Sequence, residues 1–279
     1  MEAVKGLAPG VPCVSSGTLG VMTETSPLLS VRGFSKTYKD FVAVRDLSLD
    51  LHPGDIMALV GHNGAGKTTT LRAVCGILTP SAGTIVINGH DLAADPIAAK
   101  SAMAYVPDDP RLFDALTVWE HLRFVASAYG LRGWEPAAER LLEDFELTPK
   151  RDRLTMELSR GMRQKVAVAC AYLHDPRVIL FDEPLTGLDP PGIRRLKDSI
   201  TRRAGEGAAI VFSSHLLGVV EDLCTRVLIM SRGAARFSGT IAQARERFAG
   251  GSGHATLEDV YFSATGGDDP RDGERENPS

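Results

Sequence analysis

Apolar positions along this chain follow two periods, and the order in which the periods alternate predicts the architecture. From about Leu28 the pattern alternates, with Val42, Val44, Leu47, Leu49 and Leu51 reading as antiparallel strand with one buried face. Ile56-Met57-Ala58-Leu59-Val60 is instead an unbroken apolar run, ending at Gly61 and followed by a glycine-rich loop and a helix-like stretch from Thr68 to Cys75. Gly83 to Asn88 alternates again, and Ser101 to Val106 reads as a further short strand. From Leu116 to about Leu173 the period turns helical, through Leu122, Val125, Ala126 and Tyr129 and then Leu141, Leu142 and Phe145, with breaks at Pro110, Gly130 to Gly133 and Pro149. Two strand-helix units follow: Arg177 to Phe181 with a helix from about Gly192, then Ala208 to Phe212 with a helix from about Leu216. Strands near Val227 to Met230 and Ala235 to Phe237 and a short helix from Ile241 close the pattern.

Continuous apolar strands alternating with helices imply a parallel sheet covered on both faces. The expected fold is therefore α/β, with a mostly parallel sheet, an antiparallel β edge subdomain, and an inserted helical subdomain at about residues 110–173 of a domain spanning 28–265. Residues 1–27 are broken by Pro9, Gly10, Pro12 and Gly17, which spoils a signal-peptide core; they read as a flexible extension, with Met22 an alternative start. Residues 266–279 hold Gly, Pro and charge with little to bury, and are expected to be disordered.

Composition narrows the function classes. The 31 Lys and Arg against 35 Asp and Glu leave a net charge of −4, so no global basic field argues for nucleic acid as a partner. A spanning helix needs roughly 20 apolar residues, and runs such as Val178 to Phe181 are far shorter, so any membrane role is expected to be peripheral. Cys13, Cys75, Cys170 and Cys224 are widely spaced and form no CxxC pair, as reduced core thiols in a cytosolic protein would.

Two motifs bear chemistry. Gly61-His62-Asn63-Gly64-Ala65-Gly66-Lys67-Thr68 fits GxxxxGK[ST] between an apolar strand and a helix, the context such a phosphate loop requires. Its glycines let backbone N–H groups converge on phosphate oxygens, the helix adds its positive end, Lys67 supplies a cation and the Thr68 hydroxyl a Mg²⁺ ligand. Gly61 through Thr69 form the candidate nucleotide-binding set. The run Val178 to Phe181 then ends in Asp182-Glu183, two carboxylates at the carboxyl edge of the sheet, where such folds bind ligands. Asp182 is the candidate Mg²⁺ ligand and Glu183 the group that orients or deprotonates the attacking water. The dinucleotide fingerprint GxGxxG is absent.

Further segments, in their order, resemble one family of P-loop NTPases, the ATP-binding-cassette ATPases. Leu158-Ser159-Arg160-Gly161-Met162-Arg163-Gln164-Lys165 looks like the family's signature motif and stands upstream of Asp182 at the family's spacing, with Arg160 and Met162 departing from it. Thr186-Gly187-Leu188-Asp189 resembles the loop that crosses the dimer interface, Ser213-Ser214-His215 the switch histidine, and Tyr38 the aromatic that stacks on adenine. Tyr105-Val106-Pro107-Asp108 departs from the pattern, with Asp108 where the family usually has Gln; Asp108 can still offer oxygen to Mg²⁺.

The resemblance implies an ATP-hydrolysing subunit that binds ATP and Mg²⁺, pairs with a like chain, and powers separate transmembrane permease subunits from the cytoplasmic face of the plasma (inner) membrane. Lys67, Glu183 and His215 would be catalytic, and Ser159, Gly161 and Asp189 would complete the nucleotide site across the pair. Residues Pro107 to Leu116 would transmit motion to the permease. Arg160 to Lys165 and Leu257 to Tyr261 resemble exporters of drugs, polysaccharides or peptides. The rival reading is a soluble cassette ATPase of DNA repair or ribosomes, against which stands the absence of CxxC or heptad repeats between Lys67 and Ser159.

Overall fold

The computed structural model describes residues 26–214, 217–248 and 256–266. Most of the expected N-terminal extension, His215 and the tail from 267 on lie outside the described residues. The chain opens with β1 (Leu29–Tyr38), β2 (Phe41–Leu51), β3 (Ile56–Val60), α1 (Lys67–Val74), β4 (Ala82–Ile87), β5 (His90–Asp91), α2 (Pro96–Ser101) and β6 (Met103–Val106). Three helices follow, α3 (Val118–Ala128), α4 (Glu135–Asp144) and α5 (Arg160–Tyr172). It closes with β7 (Val178–Asp182), α6 (Pro190–Gly205), β8 (Ala209–Ser213), α7 (Leu217–Leu223), β9 (Arg226–Ser231), β10 (Ala234–Thr240), α8 (Ile241–Phe248) and α9 (Leu257–Thr265).

The α/β expectation holds. One sheet runs β10-β9-β3-β8-β7-β6, parallel except for the β10 edge, and a second, antiparallel sheet runs β2-β1-β4-β5. In the parallel strands both faces are buried, which is why they read as unbroken apolar runs. Ile56, Ala58 and Val60 of β3, Ile179 and Phe181 of β7, and Ile210 and Phe212 of β8 face a core shared with the helical region. Met57, Leu59, Val178, Leu180 and Val211 face the other way, onto α1 and the antiparallel sheet. Phe181 and Phe212 are fully buried; truncating either to Ala costs about 3–5 kcal/mol.

In β2 the buried positions shift from even numbers, at Val44, to odd ones at Leu47, Leu49 and Leu51. Period-two geometry requires an extra residue there. The register slips between Phe34↔Leu47 and Lys36↔Val44, and Asp46 sits at φ 47°, so a bulge absorbs it. The expected strand from Ser101 begins later, at Met103, because Asp95 caps a helix that Pro96 starts, and this helix runs through Ser101. Helix α9 was not expected; Thr256 and Asp259 form a capping box at its start.

The helical region is built on local signals. Thr117 and Glu120 form a capping box for α3, and Ser159 caps α5. Its core joins Val118, Leu122, Ala138, Leu142, Phe145 and Val166 to the sheet. Of the cysteines, Cys75, Cys170 and Cys224 are free thiols, and burial raises the pKa of Cys75 to about 11 and of Cys170 to about 12; Cys13 is outside the described residues.

Candidate functional site

The parallel strands lie in the order β9-β3-β8-β7-β6, so the chain leaves β3 toward one edge and returns past it to the other. The carboxyl end of β3 is thus the switch point where open α/β sheets bind ligands. There the chain turns through the phosphate loop. A Cβ at Gly61 would lie 2.5 Å from the Met230 carbonyl oxygen, and one at Gly66, φ 105°, would lie 2.9 Å from that of Ala43. Only glycine fits this close approach with that backbone. Gly66 is also the N-cap of α1, with no side-chain cap bond, which leaves first-turn N–H groups to meet an anion.

Lys67 is buried, and its Nζ donates to the carbonyls of Gly61 at 2.7 Å and His62 at 3.3 Å. Desolvation by burial lowers its pKa, while Glu183 and Asp182 pull it back upward. An ammonium so placed acts on a phosphate at low local dielectric, where charge attraction is strongest.

Asp182 ends β7 and is buried. Its Oδ1 accepts from Thr68 Oγ1 at 3.1 Å and Ser213 Oγ at 2.8 Å, and its Oδ2 accepts from the Tyr105 hydroxyl at 3.3 Å. Register puts Ser213 on the neighbouring strand directly beside Asp182. Ser213 Oγ also accepts from the Glu183 N–H at 2.9 Å, tethering a residue whose φ of 48° lies in the left-handed region. Such strain is a common property of functional turns. Burial, with the nearby Asp182 charge, pushes the Tyr105 pKa well up, so the phenol stays protonated and donates.

A cavity of about 440 Å³ gathers most of the expected nucleotide residues: Tyr38, His62, Asn63, Gly64, Gly66, Lys67, Thr68, Thr69, Asp108, Asp182 and Glu183 all line it. Ala65 is buried beneath the loop, and Gly61 lines an adjoining cavity of about 510 Å³ together with Glu183, Thr186 and the α9 residues Glu258, Tyr261 and Phe262. Thr68 and Asp182 offer hydroxyl and carboxylate oxygens, a donor set that suits Mg²⁺. Among the described residues no cluster of three or more His, Cys, Asp or Glu could hold a metal, so such an ion would draw further ligands from the phosphates.

Ser159, Gly161 and Asp189 line neither cavity. Ser159 Oγ accepts from Met162 N–H at 3.3 Å, and Asp189 caps α6 by accepting from Gly192 N–H at 3.1 Å. A Cβ at Gly161 would lie 2.8 Å from the Gly187 carbonyl oxygen, so the two loops pack backbone to backbone. The Asp108 carboxylate is ion-paired with Arg160 at 2.9 Å. Sequence reading gives no individual role to the Tyr105 hydroxyl, to the Ser213 side chain or to Arg72, which also lines the cavity of about 440 Å³; the polar residue ending the β8 apolar run was the available signal for Ser213.

A parallel sheet with a glycine phosphate loop at its switch point, and a buried Asp182 with Glu183 just after it at the carboxyl end of the next strand but one, defines a P-loop nucleotide-binding domain. Residues 44–186 match the ABC transporter family. The ABC-type transporter ATP-binding protein EcsA of Bacillus subtilis is 36% identical over 240 residues, 85% of this chain and 96% of that protein. The ABC transporter ATP-binding protein NatA of the same organism is 37% identical over 213 residues, 75% of this chain and 87% of that protein. A solved ATP-binding subunit of an ABC transporter superposes with a TM-score of 0.81 at 36% identity, covering 85% of this chain and 99% of that one. The chain belongs to the ABC transporter family as an ATP-binding subunit, and its chemistry is ATP hydrolysis.

Proposed function

We propose that this subunit drives export through transmembrane permease subunits encoded by another chain, from the cytoplasmic face of the plasma (inner) membrane. The observation that supports this most is length: the chain matches nearly all of EcsA and of a solved transporter subunit. Those proteins are themselves described as ATP-binding components of transporters. Export rests on the resemblance of Arg160 to Lys165 and Leu257 to Tyr261 to exporter cassettes.

In this reading Tyr38 stacks on adenine, the loop from Gly61 to Thr69 cradles the phosphates, and Lys67 binds the β- and γ-phosphates. Thr68 and Asp182 would hold Mg²⁺, which screens phosphate charge when bound, while Asp108, the third oxygen donor expected from sequence, stands at the cavity wall paired with Arg160 instead. Glu183, held in its turn by Ser213, orients the attacking water or takes its proton. His215 would contact the γ-phosphate. Because Ser159, Gly161 and Asp189 stand outside the cavities of their own chain, a head-to-tail pair of nucleotide-binding subunits would bring the N-terminus of one α5 to the other's ATP. ATP then closes the pair, and hydrolysis releases it.

Pro107 to Leu116 is the proposed contact with the permease. Phe113 is exposed there while its backbone is pinned: its N–H donates to His121 Nε2 at 2.9 Å and its carbonyl accepts from Thr155 Oγ1 at 2.8 Å. Motion of the helical region would reach this segment directly.

The test is Glu183→Gln, expected to bind ATP and barely hydrolyse it, expressed in native cells and purified from gently solubilised membranes. A stoichiometric polytopic membrane protein in the complex supports the proposal. Ribosomal proteins or nucleic acid, with none of the chain in the membrane fraction, would favour the soluble ATPase instead.

A further inference from the structure

Two departures from the family pattern, Asp108 and Arg160, lie 52 positions apart in sequence and meet in space, Arg160 Nη2 donating to Asp108 Oδ1 at 2.9 Å. Asp108 follows β6 and lines the phosphate cavity with Asp182 and Glu183. Arg160 is the first residue of α5, and its stem packs over Gly187, where an added Cβ would lie 3.1 Å from Arg160 Cδ. Three loops, those bearing Asp108, Ser159 and Gly187, therefore converge on one guanidinium.

The pair is about half exposed, 46% for Arg160 and 47% for Asp108. An ion pair so wet contributes little to overall stability. Its consequence is local. A third carboxylate on the wall of a cavity that takes a triphosphate repels the ligand, and a guanidinium bonded to that carboxylate cancels the charge at source.

We propose that Arg160 is a positioning residue for the ATPase reaction. It neutralises Asp108 and holds its carboxylate at the cavity wall, and the acidic residue is compatible with nucleotide binding because of it. This rests on reading the cavity as the ATP site.

The test is steady-state turnover of MgATP by the full chain and its Arg160→Gln, Arg160→Lys, Asp108→Asn and doubly substituted variants, with Lys67→Ala as reference. One uncompensated charge near the phosphates should raise KM for ATP about threefold to tenfold in Arg160→Gln, with kcat within about twofold. Arg160→Lys should restore KM, and the rise should shrink in about 0.5 M salt. In the Asp108→Asn background, Arg160→Gln should add no further rise. An equal rise in both backgrounds, or none in either, overturns the proposal. Failure of the cavity assignment looks different: Lys67→Ala would then turn over ATP like the wild type.

Discussion

Ser213 is the residue on which the arrangement of both acids depends, and Ser213→Ala tests that directly. The side chain is fully buried and makes two bonds, donating to Asp182 Oδ1 at 2.8 Å and accepting from Glu183 N–H at 2.9 Å. A bond to a charged acceptor contributes about 1.5–3 kcal/mol, and a backbone donor left unpaired costs about 1–3 kcal/mol. Thr68 and Tyr105 still donate to Asp182, and Glu183 recovers some energy by leaving its φ of 48°. The net destabilisation should be about 2–4 kcal/mol. With a urea slope of about 3 kcal/mol/M, the midpoint should fall by roughly 1 M. Relaxation of Glu183 displaces the carboxylate that handles water, and a shift of about 1 Å can cost roughly 100-fold in rate. We expect kcat to fall by about 10- to 100-fold while KM for ATP stays within about threefold, because Lys67 and its loop are untouched. Urea denaturation followed by circular dichroism, together with phosphate release, measures both. A variant within about 0.5 kcal/mol of wild type, with kcat within twofold, would refute the tether.

Lys67→Met should lower turnover at least about 100-fold, since it removes the charge aimed at the phosphates. Its effect on stability should depend on pH: the carbonyls of Gly61 and His62 lose their donor at any pH, but burial depresses the Lys67 pKa below 10.5, so the charged form is disfavoured in the folded chain relative to the unfolded one. That cost is present at pH 7 and fades as pH rises through the folded pKa toward 10.5. Melting curves at pH 7 and pH 10 should show the variant's relative stability greatest at pH 7; the reverse trend contradicts the desolvation argument. Gly161→Ala places a Cβ 2.8 Å from the Gly187 carbonyl oxygen, and such overpacking costs about 1–3 kcal/mol. Calorimetry should show the melting temperature falling by about 2–4 °C per kcal/mol, and an unchanged melting temperature would mean the loops are not in that contact. Tyr105→Phe removes a single long bond to Asp182 and should cost about 1 kcal/mol or less, read by the same calorimetry, with a larger loss showing that the phenol does more than donate.

The local part of this architecture was written in the chain. Unbroken runs at Ile56 to Val60 and Val178 to Phe181 announce strands buried on both faces, because covering a parallel sheet twice leaves no polar face to encode. The phosphate loop is equally legible, since its glycines answer to backbone geometry within a few residues. What required the tertiary structure is whatever depends on distant segments meeting. Ser213 enters the sequence reading only as a neighbour of His215, and its hold on Asp182 and Glu183 appears only when β8 pairs in register with β7. Asp108 and Arg160 each look like an isolated departure until the turn after β6 and the start of α5 bring them together. The slip in β2 and the helix at Pro96 to Ser101 were hidden for the opposite reason: a single φ at Asp46 and one cap at Asp95 override the pattern over several residues. Periodicity records which side of an element is dry, and the pairing of elements then decides which polar groups on the wet or buried edges become neighbours.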